Sequence, residues 1–397
     1  MPSFAIDLEA IRADTPGVAN CIHLNNAGAA LMPRTVVDAM IAHINLEAQT
    51  GGYEAASLQA EGVANVYASV ARLIGAAADE VALLENATLA WNMAFYGLRF
   101  RQGDRILTSQ SEYGANFVAF LRTAERTGAK IEIAPSDDDG AIDPDALASM
   151  VDETVKLIAV SHMPTNGGLI NPVEAIGRVA RKNRIPFLLD ACQTVGQMPI
   201  DVAAIGCDAL SATGRKFLRG PRGTGFLYVR RGFMDTIEPP MPDHFAAKWL
   251  AADRYELRGD ARRFETWENN YAAILGLGAA VDYAIAIGLE PIRDRAFALA
   301  DRLRAGLRSL DGVTIYDLGA RPGAIVTWAA DGVESAAIKA SLAEQRINIS
   351  VSQPTSTMID ATTRALPPLV RMSPHYYNTE DEIDRTLDAT AAALGRR

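Results

Sequence analysis

Between Val81 and Val229 the chain repeats one rhythm: a short apolar run, a small or polar break, then a stretch at helical spacing. No other feature limits the fold as tightly. The apolar runs are EVALLE, RILTS, KIEIAP, VKLIAVS, IPFLLD, DALSAT and GFLYV. Each is too short for a helix interior and several are rich in Ile, Val and Leu, so they read as strands. NFVAFLRTAERTG, PDALASMV and PVEAIGRVARKN read as helices between them, the last opening with Pro172 at a first-turn position and running on to Arg184. Strands that alternate with helices imply an α/β fold with a mostly parallel sheet covered on both faces.

The flanks read differently. Before the alternating region, HLNNAGAALMPRTVVDAMIAHINLEAQ gains helical spacing in its second half. After Arg230 come the helical stretches NNYAAILGLGAAVDYAIAIG and PIRDRAFALADRLRAGLRSL, the apolar runs VTIYDLG and AIVTWA, a helix ESAAIKASLAEQR, a run INISVS and a closing helix TEDEIDRTLDATAAALG. This tail reads as a smaller α+β domain. The expected organisation is an N-terminal arm over 1–25, a large domain over 26–255, and a small C-terminal domain over 256–397 that includes an interdomain helix. A chain of 397 residues can build both cores without disulfide or metal staples.

Composition then excludes classes of partner. With 48 acidic against 38 basic side chains the formal net charge is -10, the wrong sign for a nucleic-acid backbone or an anionic membrane. Cys21, Cys192 and Cys207 are an odd number of cysteines with no CxxC pair, which fits a reducing compartment. The five histidines are scattered and form no HxxxH or HExxH pair, so no metal centre is expected. No apolar stretch reaches a membrane span, and MPSFAIDLEAIRADTPG carries acids rather than a basic and apolar leader. The expected location is the cytoplasm.

Ligands of open α/β sheets sit outside the carboxyl ends of the strands, so the polar residues just after each expected strand are the candidates. They are Asn86, Ala87 and Thr88; Glu112, Tyr113 and Asn116; His162, Thr165 and Asn166; Asp190 and Gln193; and Gly214, Arg215 and Lys216. Each has a plain structural reading: Thr88 as a helix cap, Asp190 as a solvated strand end, Arg215-Lys216 as a basic surface pair. GPRGTG, after Phe217, lacks the GxxxxGK[ST] spacing and precedes a strand-like FLYV, so it reads as a turn. No GxGxxG follows the first strand either.

Taken together, one lysine, one strand-end carboxylate, an amide three residues later and a set of phosphate-sized donors suit pyridoxal phosphate. That cofactor needs a lysine amine for its aldehyde, an acid to keep its pyridine nitrogen protonated, and a cup for its phosphate. Lys216 is the natural amine, since partial burial beside Arg215 would depress its pKa toward working pH. Asp190 is the natural partner of the ring nitrogen. Thr88, the N–H groups at its helix start and the Arg215 guanidinium suit the phosphate. Gln193 or Asn166 suits the phenolic oxygen, and Tyr113 the ring face.

The segments LLENAT, SQSEYGAN, SHMPTNGG, DACQTVGQMPIDV, SATGRKFLRGPRGTGFLYV and VRMSPHYYNTEDEID, in this order, resemble the class V aminotransferase and cysteine desulfurase family of fold-type I pyridoxal phosphate enzymes. The resemblance runs from about Leu24 to the closing helix, and D-A-C-Q at Asp190 to Gln193 followed by T-G-R-K ending at Lys216 is its strongest part. It implies a homodimer with active sites at the subunit interface, a large seven-stranded cofactor domain and a small C-terminal domain. It also implies that Lys216 is the Schiff-base lysine, Asp190 the ring-nitrogen partner, and Gln193 the donor to the phenolic oxygen, with Asn166 near that oxygen and the substrate. Ala87, Thr88, Thr213 and Arg215 match the phosphate-binding set, although many relatives have histidine where Arg215 stands. Arg371 matches the arginine that holds the substrate α-carboxylate, a task for a bidentate guanidinium fork. Asn25 and Asn26 fall near the same carboxylate.

The sequence departs from the desulfurase pattern. Cysteine desulfurases use a mobile cysteine in the loop before that arginine, and here the interval INISVSQPTSTMIDATTRALPPLVR contains none. Cys192 and Cys207 read as small core residues. Tyr113 stands where desulfurases often have histidine, and RRFETWENNYA lacks their glycine and threonine pattern. EYGAN, RFETWE and SPHYYNT look closer to isopenicillin N epimerase-like proteins and to the lyases that cleave a cysteine sulfoxide conjugate in ergothioneine synthesis. The expected function is therefore pyridoxal phosphate chemistry at Cα of an L-amino acid held by Arg371, by β-elimination of a cysteine-derived substrate without a persulfide cysteine. A class V aminotransferase or an epimerase are the alternatives, and a non-catalytic α/β binding module is the remote one.

Overall fold

In the computed structural model, which describes residues 6–395, all seven apolar runs of the alternating region are strands. Numbered in chain order, β1 is Ile22–His23, β2 Val81–Leu84, β3 Arg105–Thr108, β4 Lys130–Ile133, β5 Val155–Ser161, β6 Phe187–Asp190, β7 Ala209–Thr213 and β8 Gly225–Val229. Strands β2 to β8 form a seven-stranded sheet in the order β2-β8-β7-β6-β5-β3-β4. Within it β8 alone runs against its neighbours. Residues 1–5, which begin the segment read above as free of a leader, lie outside the described residues.

Side chains alternate along a strand, so an uninterrupted apolar run loads both faces. In β5, Ile158 and Val160 join one core with Phe187, Leu189, Leu210 and the helices Ala60–Ile74, Val173–Asn183 and Tyr271–Ile287. Leu157 and Ala159 join another, with Trp91 and Phe95 of the helix Ala87–Phe95 and Phe120 of the helix Gly114–Thr127. Burying each such Leu, Ile or Phe side chain contributes about 1.5–3 kcal/mol. The helix Val173–Asn183 stops one residue short of Arg184, which takes a left-handed φ of 57° as its cap. Pro172 sits at the residue before the first helical one rather than inside the first turn, where its missing N–H costs nothing.

Beyond β8, an exposed hairpin pairs β9 (Ala247–Ala251) with β10 (Arg254–Leu257). The remaining strands are β11 (Val313–Ile315), β12 (Val326–Ala330), β13 (Ile347–Asn348), β14 (Ser350–Ser352) and β15 (Leu369–Met372). Four of them form an antiparallel sheet, β11-β12-β15-β14. The run INISVS, read above as one element, divides between two partners: β13 pairs in parallel with β1, and β14 with β15. Ile347 and Ile349 enter the small core in company with Ile22 and Leu24, which ties the N-terminal segment there. Spacing along the chain carries no information about which strand a segment will pair with, so the division was not visible in it.

Apolar contacts change cores at Gly288. Ile274, Leu277 and Val281 of the helix Tyr271–Ile287 pack on the large sheet, whereas Leu299, Leu303 and Leu307 of the helix Leu289–Arg308 fill the small core. The two helices meet at 83° there. Gly288 has φ 96°, a conformation that a side chain would strain. Among the described residues no single helix is long and apolar enough to cross a membrane.

Candidate active site

Parallel pairing puts the carboxyl ends of β3, β5, β6 and β7 at one edge of the large sheet, and the candidate residues gather there. Asp190 ends β6 and Thr213 ends β7. The turn that follows carries Gly214, Arg215 and Lys216, and closes with the Gly220 N–H donating to the Gly214 carbonyl at 2.7 Å. A Cβ on Gly214 would lie 2.3 Å from Thr224 Oγ1, so a side chain there would have to displace Thr224. Burial lowers the pKa of Lys216, ahead of Arg215 and Arg371, which act in the same direction; Cys192 and Asp190 oppose them. The depression expected for this lysine is present, and desolvation rather than its arginine neighbour is its main cause.

Asp190 is buried, with both oxygens engaged. Oδ1 accepts from the Cys192 N–H at 2.9 Å, and Oδ2 accepts from Asn116 Nδ2 at 2.9 Å. The solvated strand end allowed for above is therefore not what forms. Behind it lies Glu112, also buried, joined to Asn116 at 2.9 Å. Neither Glu112 nor Asn116 was assigned a role from the sequence. Their signal was the polar cluster after RILTS, and nothing in it showed that an acid would be buried.

The helix Ala87–Phe95 begins beside the same turn. Asn86 caps it by accepting from the Leu89 N–H at 2.9 Å, so Thr88 is not the cap: it lies in the first turn, exposed, and it and Ala87 present helix-start N–H groups. A Cβ on Gly225 would sit 2.8 Å from the Asn86 carbonyl carbon and 3.0 Å from the Ala87 nitrogen. Only glycine lets this helix start approach β8. Thr213 Oγ1 donates to the Thr224 carbonyl at 3.2 Å, and the Arg215 guanidinium reaches the Gly28 carbonyl. GPRGTG is a turn, as expected, with Gly223 at φ 76°.

From the small sheet, β15 brings in Arg371, which is buried and donates through Nη1 to Thr165 Oγ1 at 2.7 Å, leaving its Nε without a partner. Arg371 lies inside this strand, Leu369–Met372. Burial, then the positive Arg215, lower its pKa to about 10. Asn166 donates to Thr357 Oγ1 at 2.8 Å, and Gln193 to the Ala27 carbonyl at 3.2 Å; Asn166 Oδ1, Gln193 Oε1 and Asn25 Oδ1 are buried and unpaired. Buried polar atoms are rarely left this way unless a ligand completes them. Asn26 differs: its amide nitrogen donates to the Ser373 and His23 carbonyls and its oxygen accepts from the Tyr377 hydroxyl, which fastens the N-terminal segment. Tyr113 is 38% exposed at the start of the helix Gly114–Thr127.

A family model for the class-V aminotransferases matches residues 22–386. The chain belongs to that family. A relative from Methanothermobacter thermautotrophicus, described as a probable cysteine desulfurase, is 31% identical over 382 residues, 94% of this chain and 95% of its own length. The apo structure of the cysteine desulfurase from Thermococcus onnurineus NA1 superposes with a TM-score of 0.91 at 28% identity, covering 100% of both chains. The cystine C-S lyase C-DES, solved with its reaction product cysteine persulfide, shares the fold at a TM-score of 0.86 and 24% identity, over 95% of this chain and 99% of its own. The fold-type I architecture expected from the motifs is thus the observed one, with its large, mostly parallel seven-stranded sheet.

Proposed function

We propose that this class-V protein is a pyridoxal phosphate enzyme that removes the β-sulfur group of a cysteine-derived L-amino acid, without a persulfide cysteine. The observation that carries the reading is where the thiols lie. The segment between Ile347 and Arg371 contains no cysteine, and Thr357 rather than a thiol meets Asn166 there. Cys192 lies in the site but is buried, and burial raises its pKa well above the usual thiol range. Cys207 lies at the opposite edge of the sheet, and burial raises its pKa as well. Cys21, in the N-terminal segment, is raised by burial and by Glu382. No cysteine has the depressed pKa that marks a nucleophilic thiolate.

The residues present fit the cofactor. A cation at Arg215 and a helix start cleared by Gly225 suit an anionic phosphate, and the buried amides of Asn166 and Gln193 keep hydrogen-bonding capacity that a polar ligand would complete. When bound, pyridoxal phosphate supplies an aldehyde carbon for a lysine and a protonated ring that withdraws electrons from the substrate's Cα. Asp190 would hold the proton on the ring nitrogen, and Asn166 with Gln193 would face the phenolic oxygen. Ala87, Thr88, Thr213 and Arg215 would take the phosphate, and Tyr113 would lie against the ring. Arg371, supported by Thr165, would grip the substrate carboxylate, with Asn25 beside it. Lys216, whose charged form burial disfavours, would take the Cα proton. The C–S bond would then break with its electron pair leaving on sulfur, and water would hydrolyse the remaining fragment to pyruvate and ammonia.

A homodimer belongs to this proposal. Large apolar side chains are exposed along the helix Arg34–Thr50 (Ile41, Ile44), on the segment after it (Tyr53, Leu58) and on the β9–β10 hairpin (Trp249, Tyr255), surfaces suited to a second copy. The descriptions of the relatives favour a second reading, cysteine desulfurase, which needs a thiol. Assays of cysteine, cystine and S-substituted cysteines for pyruvate, ammonia and sulfide, with and without a keto acid, test the first reading. A variant with all three cysteines changed to alanine separates the two. Retained turnover supports the lyase; loss of turnover in Cys192→Ala or Cys21→Ala with the cofactor still bound overturns it. Dependence on a keto acid would indicate a transaminase instead.

A further inference from the structure

The turn between β3 and the helix Gly114–Thr127 buries an acid that the roles above leave unused. Glu112 is 2% exposed and accepts hydrogen bonds from the Ser161 N–H at 2.8 Å, the Ser161 hydroxyl at 2.7 Å, Asn116 Nδ2 at 2.9 Å, the Tyr113 N–H at 3.1 Å and the Thr108 hydroxyl at 3.3 Å. Five donors and no cation hold it, which is the environment of a carboxylate stabilised by dipoles alone. The Asn116 amide nitrogen carries two N–H groups; one is given to Glu112 and the other to Asp190. A pure donor between two carboxyl groups is fully satisfied when both present acceptor oxygens.

We propose that Glu112 is a positioning residue for Asp190: through Asn116 it fixes the Asp190 carboxylate and places a second negative charge behind it, which holds the proton on the ring nitrogen of bound pyridoxal phosphate. The proposal deepens the cofactor reading above and rests on it. Asp190 from β6 is the like charge that faces Glu112, and Tyr113 stands next to it in the chain. His162, at the end of β5 next to Ser161, is held neutral by burial, its pKa lowered to about 4. Lys216 faces Asp190 from the turn after β7. Desolvation pushes the Glu112 pKa up to about 7 while its donors pull it down, so near neutrality its charge is present in part and grows with pH. A negative charge raises the proton affinity of a base nearby, and inside a protein this effect is poorly screened. The ring nitrogen would therefore gain proton affinity over the pH range in which it would otherwise lose its proton.

Enzyme loaded with pyridoxal phosphate labelled with nitrogen-15 at the ring tests this, the ring-nitrogen chemical shift being followed between about pH 6 and pH 9. The wild type is expected to stay protonated to the top of that range. Glu112→Gln is expected to lower the ring nitrogen's proton affinity by about tenfold, one unit in its pKa, while cofactor absorbance near roughly 410–430 nm persists. Asn116→Ala leaves Glu112 its other four donors and removes only the bridge, so it serves if the glutamine variant folds poorly, and the same direction of shift is expected. A ring-nitrogen titration identical to the wild type in a folded, loaded Asn116→Ala or Glu112→Gln variant overturns the proposal and leaves the cofactor reading standing. Failure of the wild type to show Lys216-dependent absorbance overturns both.

Discussion

At the edge of the large sheet where β3 and β7 begin, arginines and carboxylates neutralise one another; at the edge where the same strands end, the cations stand alone. Arg230 donates to Asp208 through Nε at 2.9 Å, Arg105 pairs with Glu132 and Asp152, and Arg231 pairs with Asp79. At the other edge Lys216, Arg215 and Arg371 enter no ion pair among the described residues. A cavity of about 1000 Å³ opens at the paired edge, between Arg181, Cys207, Asp208 and Arg230. There Arg230 is paired with Asp208, and Arg181 donates to the Ala203 carbonyl. Exposed pairs of that kind contribute only about 0–1 kcal/mol each. An enclosed cation without a partner is costly until an anion arrives. Under the proposed function, the second edge would spend folding stability to hold sites for a phosphate and a carboxylate.

Substitutions that silence one edge and spare the other test this contrast. Lys216→Ala should remove turnover altogether, on the order of a thousandfold or more, and abolish absorbance near roughly 410–430 nm while some cofactor stays bound, as spectra of the purified protein would show. Arg371→Ala comes next: kcat/KM should fall by about a hundredfold, mostly through KM, while the cofactor dissociation constant changes by no more than a few-fold. If cofactor affinity fell as far as substrate affinity, Arg371 would not be dedicated to the substrate carboxylate.

His162 gives a smaller effect at the same edge, read in stability. It is buried with Nδ1 unpaired, and its pKa is lowered to about 4. Between about pH 4 and 6.5 the unfolded chain binds a proton there that the folded chain does not. Stability from this residue therefore rises with pH through that window, by up to about 3 kcal/mol, and is fully present above it. Denaturant titrations of His162→Gln across the window should show a flatter rise; an unchanged slope would remove His162 from this account. The least effect is expected at the paired edge. Arg230→Ala should lower stability by no more than about 1 kcal/mol and leave turnover within twofold, and a large loss of activity would break the contrast between the edges.

Much of the site-bearing edge is legible in the amino-acid sequence. The seven apolar runs are the seven strands of the sheet, and Lys216, Asp190, Gln193 and Arg215 stand after strands whose ends share one edge. Thr88 falls at the expected helix start, although Asn86 caps it. What is not legible depends on partners. INISVS splits because its halves pair with different strands, Asn26 bonds to Ser373 and Tyr377, and Arg371 belongs to a strand of only four residues, Leu369–Met372.

The sequence by itself determined the class of fold and the edge at which chemistry gathers, because side-chain periodicity fixes which residues face a core and a parallel sheet aligns the ends of its strands. Only the tertiary structure decided which polar groups meet. Asn116 bridges to Asp190 across 74 positions of sequence, and Arg371 reaches Thr165 across 206. Such hydrogen bonds require donor and acceptor within about 3 Å in a fixed orientation, and strand order, register and burial set that geometry, none of which periodicity encodes.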